Sequence, residues 1–172
     1  MKKLLIIPLV FLLCFAFSCQ KAEEVAEEPV VDVEAEKANI QSIFDQYAKA
    51  WKTKNIDLFA EIFSHDADMV IFDTETRYDG GEAWNERLQN SFDLIDDINI
   101  TFRDYSIKVH PSGTIAWLSA FEDATWTTSE GQAGKVEGMR ITWVLEKTEG
   151  KWIIVEGHWS FSQPEKGEQQ EI

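Results

Sequence analysis

Two stretches near the end of the chain decide the fold: Arg140-Ile141-Thr142-Trp143-Val144-Leu145-Glu146-Lys147, and then Gly150-Lys151-Trp152-Ile153-Ile154-Val155-Glu156-Gly157-His158-Trp159-Ser160. Both are rich in β-branched and aromatic residues, and Glu149-Gly150 between them suits a tight turn, so they read as antiparallel strands over residues 136–146 and 152–161. Working back toward the N-terminus, residues 114–127 form another long strand that carries Trp117, Phe121 and Trp126, and a loop at 129–134 leads from it into the next. Pro111-Ser112-Gly113 is a turn. Before it, Ile98, Ile100 and Phe102 alternate, and so do Tyr105, Ile107 and Val109, but the two sets are out of phase. One extra residue near Arg103-Asp104 restores the phase, which is what a β-bulge does.

The first half of the domain has a different period. Ile40, Ile43, Phe44, Tyr47 and Trp51 fall on one helical stripe. Asn55 is placed to cap a second, short helix whose buried side carries Leu58, Phe59, Ile62 and Phe63. Residues 69–72 read as a strand, Arg77-Tyr78 as the start of its return, and Gly80-Gly81 as the break before a third helix with Trp84, Leu88 and Phe92 on one face. Helices first and long hairpins afterwards make an α+β arrangement over residues 37–163, followed by a polar tail at 164–172.

Ahead of the domain lie Met1-Lys2-Lys3 and an almost entirely apolar run at 4–17, too short for a comfortable membrane span but suited to the core of a signal peptide over residues 1–18. Ala16-Phe17-Ser18-Cys19 looks like a bacterial lipobox, although an aliphatic residue is usual where Ala16 sits and a small one where Phe17 sits. That resemblance implies lipidation of Cys19 and a membrane tether. Gln20, standing where retention at the inner membrane would need Asp, implies the outer membrane of a Gram-negative envelope, facing the periplasm. Residues 19–36 are acidic with few large apolar groups, and read as a disordered spacer. The chain has two cysteines, Cys14 and Cys19, so the domain itself has none and can form neither a disulfide framework nor a thiolate metal site. A net charge of −15 argues against nucleic acid and anionic headgroups as partners.

Together, the pattern Y-x3-W-x3-N-x2-L at Tyr47 to Leu58 and the close R-x-T-x-V-L … G-x-W-x-I-V-x-x-H-x-S from Arg140 to Ser160 resemble the SnoaL-like branch of the NTF2-like superfamily, in the group related to the calcium/calmodulin kinase association domain. The resemblance covers residues 38–162. It implies a cone in which three N-terminal helices pack on a curved, bulged antiparallel sheet, a pocket inside the cone, and a homodimer through the sheet's outer face. The fold by itself assigns no chemistry.

Several polar residues are candidates for that pocket. Tyr47 aligns with the tyrosine that donates to the oxyanion in the related ketosteroid isomerases, whereas Ile71 stands where those enzymes carry the proton-shuttling carboxylate. Ile71 cannot move a proton, and Asp73, two residues on, is a possible substitute in the same strand. Arg140 and His158 interrupt apolar strands at positions that line the pocket in relatives. A buried guanidinium needs an acid or an anionic ligand. Arg140 shares a strand face with Thr142, and His158 shares one with Glu156; Arg140, Glu156 and His158 across adjacent strands are expected either to bind a carboxylate or do acid–base work, or to close into an ion-pair network. Trp51, Trp117, Trp126 and Trp143 could line an apolar cavity or serve as core and dimer interface. The sequence shows no metal-ligand spacing, Gly-rich phosphate loop or nucleophile elbow, so no metal or cofactor is expected.

Three readings follow. The leading one is a membrane-tethered domain that binds a small, partly apolar ligand, with an anionic group accommodated at Arg140, through Tyr47, Trp51, Trp117, Arg140, Thr142, Glu156 and His158. The second is an isomerase, dehydratase or hydrolase using His158 with Arg140, Tyr47 or Asp73. The third is a homodimeric scaffold with a vestigial pocket.

Overall fold

A computed structural model describes residues 31–162. The signal peptide, Cys19, most of the acidic spacer and the tail at 164–172 lie outside the described residues. Among the described residues no helix is long and apolar enough to cross a membrane.

Helix α1 spans Val33–Thr53 and buries Ile40, Ile43, Phe44, Tyr47, Ala50 and Trp51, the stripe read from the sequence. It starts earlier than expected, so residues 33–36 are not spacer but its first turn. Asp32 caps that turn by accepting from the Ala35 amide at 3.1 Å, and Glu34 and Glu36 sit where the positive end of the helix dipole favours acids. Glu36 is also tied across the fold, accepting from Lys147 Nζ at 2.6 Å and from Trp152 Nε1 at 2.7 Å. These two bonds, Lys147 first, hold its carboxyl below the usual range.

Helix α2 (Ile56–Ala60) is capped by Asn55, as its position suggests. The hairpin of β1 (Val70–Asp73) and β2 (Thr76–Asp79) precedes α3 (Gly81–Leu94), which buries Trp84, Leu88 and Phe92. A four-strand meander follows: β3 (Ile95–Val109), β4 (Ile115–Thr128), β5 (Ala133–Thr148) and β6 (Lys151–Ser160). The sheet order is β2-β1-β6-β5-β4-β3. β1 runs parallel to β6, so the sheet is mixed rather than wholly antiparallel. The three helices pack on this curved, unclosed sheet. The parallel pair joins segments more than eighty residues apart and leaves no local mark, unlike the hairpins.

The bulge expected near Arg103-Asp104 is present. The β3–β4 register shifts between Arg103 and Ser106, and Asp104 takes φ +51. A second shift, beside Glu122 on β4, puts an extra residue into β5, where Gly138 takes φ +69. Asp123 fastens both irregularities, accepting from Arg103 Nε at 2.7 Å and from the Gly138 amide at 2.6 Å. These bonds hold the Asp123 carboxyl below its ordinary value, with Arg103 as the main cause.

Candidate functional site

The inner face of β4 presents Ala116, Leu118, Ala120, Glu122 and Ala124 in alternation, all buried. Small alanines leave space above the strand, and larger side chains from the other elements border it. α1 contributes Tyr47 and Trp51, α3 contributes Trp84 and Arg87, β1 ends in Asp73, and β6 brings Trp159; with residues nearer the mouth they line a cavity of about 220 Å³. Trp126, also in the lining, packs against Gly134, where a Cβ would come within 2.2 Å of the indole ring.

Glu122 is the residue that the sequence analysis missed. It is 3% exposed, and its carboxylate accepts one hydrogen bond among the described residues, from Trp159 Nε1 at 3.0 Å. Burial pushes its acid up to about 7; the Trp159 bond opposes this, and the charges of Asp73 and Asp123 add to it. Tyr47 is fully enclosed, and its phenol is pushed well above 10, first by burial and then by Glu122. It therefore keeps its proton at neutral pH and can donate. Asp73 and Arg87 form an ion pair at 2.9 Å on the cavity wall, with side chains 17% and 34% exposed. Arg87 also donates to Ser91 Oγ one turn along α3. The indole N–H groups of Trp51 and Trp84, both in the lining, are buried with no hydrogen-bond partner. The core residue Trp143 carries a third such N–H, so these donors belong to the packed aromatic interior and do not by themselves mark a ligand.

Of the expected site residues, Tyr47, Trp51 and Asp73 are brought together here. Trp117, Arg140, Thr142, Glu156 and His158 are not: all five are exposed on the opposite, outer face of the sheet. The reason is strand alternation. Ile141 and Trp143 point inward on β5, as do Gly157 and Trp159 on β6, so their neighbours must point out. Arg140 donates from outside to the Phe161 carbonyl, and the His158 ring meets Phe72 edge-on with centroids 6.0 Å apart. No salt bridge joins Arg140, Glu156 and His158 among the described residues. A pocket role for Arg140 and His158 is therefore corrected, and with it the anion site and the catalytic histidine. Trp143 is core, with no exposure.

Glu122 had a signal in the sequence. It sits in phase with Ala116, Leu118, Ala120 and Ala124, an acid on the apolar side of a strand. Arg87 had a weaker one, three residues after Trp84 and beside Leu88 on the buried stripe of α3. A second cleft of about 560 Å³ lies between α1 and β3, lined by exposed Gln41, Ser42, Asp45 and Thr101 together with apolar residues. It contains no buried ionisable group. No group of three metal-capable side chains occurs among the described residues.

Comparison with known proteins agrees with this architecture. No curated protein sequence matches the chain. Among solved structures, an NTF2-like superfamily protein from Salmonella enterica serovar Typhimurium superposes with a TM-score of 0.71 at 16% identity, over 81% of this chain and 99% of that one. A provisionally named scytalone dehydratase from Novosphingobium aromaticivorans gives 0.67 at 14% identity, over 76% and 86%. The association domain of CaMKII from C. elegans gives 0.59 at 18% identity, over 74% and 97%. These likenesses establish a shared fold. Residues 40–164 match the SnoaL-like domain family, so the chain belongs to that family.

Proposed function

We propose that the domain binds a small, largely apolar molecule without negative charge, its polar end held at Tyr47 and Glu122. The observation that carries this reading is Glu122 itself, a carboxyl 3% exposed in an aromatic-walled cavity with a single donor against it. Burying an ionisable group in this way is costly unless the site uses it. The cavity is smaller than the roughly 300–1,000 Å³ of drug-sized sites, so a ligand about the size of one ring fits. Phenol and benzoate test the reading, followed by tryptophan fluorescence. Phenol should bind saturably, benzoate at least tenfold more weakly, and Ala124→Leu, which fills the cavity, should abolish phenol binding. Equal binding of both probes by wild type and the filled variant would sink the proposal.

A second reading adds chemistry to the same site. An acid titrating near 7 beside a protonated tyrosine suits proton transfer next to a carbonyl, with Glu122 as the base and Tyr47 donating to the oxygen. Glu122 replaces His158 in that role. The test is deuterium exchange into the α-positions of cyclohexanone, which wild type should accelerate and Glu122→Gln should not.

Two further proposals rest on sequence expectations. A homodimer through the outer face is supported by Ile115 and Trp117 at 42% exposure and Phe72 at 40%. Sedimentation of Trp117→Glu as a monomer and of wild type as a dimer would support it. The envelope tether rests on Cys19, and incorporation of labelled fatty acid that disappears in Cys19→Ala tests it.

A further inference from the structure

We infer that the ligand class of this cavity is a small organic cation, a quaternary or tertiary ammonium group seated among aromatic rings against Glu122. The inference rests on the binding reading above and narrows it. Tyr47, Trp51, Trp84, Trp126 and Trp159 all border the cavity. Ring faces attract a desolvated cation through their quadrupoles, most strongly for tryptophan. An ammonium centre carrying methyl groups also tolerates the loss of water that a dry wall imposes.

The charges point the same way. Arg87 is the one cation among the described lining residues, and it is committed to Asp73 at 2.9 Å. An anion would meet two carboxyls with no free positive group. A neutral ligand would leave the ionised form of Glu122 uncompensated, since Trp159 supplies the one hydrogen bond it accepts. A cation removes that deficit. The chain's net charge of −15 adds long-range attraction for cations approaching the mouth.

Ionisation of Glu122 links the binding to pH. The charged or titratable groups around it are Tyr47 from α1, Asp73 from β1, Arg87 from α3 and Asp123 beside it on β4; β5 faces the cavity with apolar Val136 and Met139, and β6 with Trp159. Tyr47 stays neutral, and the Asp73–Arg87 pair cancels, so the net charge facing the ligand follows Glu122. With that acid titrating at about 7, cation affinity should fall about tenfold between pH 8 and pH 6.

The test compares choline with its uncharged carbon isostere, 3,3-dimethyl-1-butanol, titrated calorimetrically into the full chain at pH 8. Choline should bind at least tenfold more tightly. Glu122→Gln and Trp126→Leu should each remove most of that margin, and a single cooperative thermal transition in each would show that both variants fold. Equal binding of the two probes overturns the cation inference and leaves the cavity reading standing. So does binding of phenol with no binding of choline. If neither choline, its isostere nor phenol binds, both readings fail. A choline margin that survives Glu122→Gln undiminished also overturns the inference, since the carboxylate would then contribute nothing to selection.

Discussion

Replacing Glu122 with glutamine should make the protein more stable at pH 8 and no more stable at pH 4. In the unfolded chain this acid titrates near 4.5, and in the fold at about 7. Its folded-state value is raised, so its favourable contribution is complete below about 4.5 and is lost as pH climbs through 7. Over that window, at about 1.4 kcal/mol per pH unit, ionisation costs the native state about 3 kcal/mol relative to the unfolded chain. The group is almost fully enclosed, so solvent screening removes little of this. Glutamine retains an oxygen that can accept from Trp159, and the value of about 7 already includes the preference of that bond for the carboxylate. The variant should therefore gain about 3 kcal/mol over wild type at pH 8 and lie level with it at pH 4. The assay is urea unfolding of both proteins across that range, read as the difference between them, so that the many surface carboxylates cancel. A difference that stays constant within about 0.5 kcal/mol would refute the reasoning, because it would mean that the Glu122 carboxyl is solvated in the native state.

Arg87→Met should move the titration of Glu122 upward, because Asp73 then presents its negative charge without its 2.9 Å partner; carboxyl NMR follows the midpoint, and a downward movement would contradict the geometry. Gly134→Ala should cost about 1–3 kcal/mol, typical of overpacking, since its Cβ would stand 2.2 Å from the Trp126 ring. The displaced ring should also weaken phenol binding, and a melting temperature equal to wild type would count against the packing argument. His158→Ala should change stability by less than about 0.5 kcal/mol, as expected for a surface site, and leave phenol binding intact. Loss of phenol binding in that variant would return His158 to the site.

How much of this was legible in the sequence can be traced to individual residues. The α1 stripe, the Asn55 cap, the Trp84–Leu88–Phe92 face and the bulge at Arg103-Asp104 all rest on contacts or periods within a few residues. Each of them is found in the structure. The site was legible only in part. Tyr47, Trp51 and Asp73 were identified, while Arg140, Thr142, Glu156 and His158 were placed inside because relatives place such residues there. Their own strands said otherwise: Ile141, Trp143 and Leu145 claim one face of β5, which leaves Arg140 and Thr142 the other. Glu122 carried the reverse signal, an acid in phase with a buried alanine-rich row.

The sequence by itself determined the elements, their order, the family and the buried faces of α1, α3 and the bulged strand β3, because side-chain alternation and helical periodicity are local properties of the chain. Only the tertiary structure decided that β1 lies parallel to β6, that Asp73 meets Arg87 across two elements, and that Glu122 stands in a dry aromatic cavity with one donor. Those pairings join distant segments, and burial of a carboxyl depends on what closes over it. Neither quantity exists until the helices are packed against the sheet.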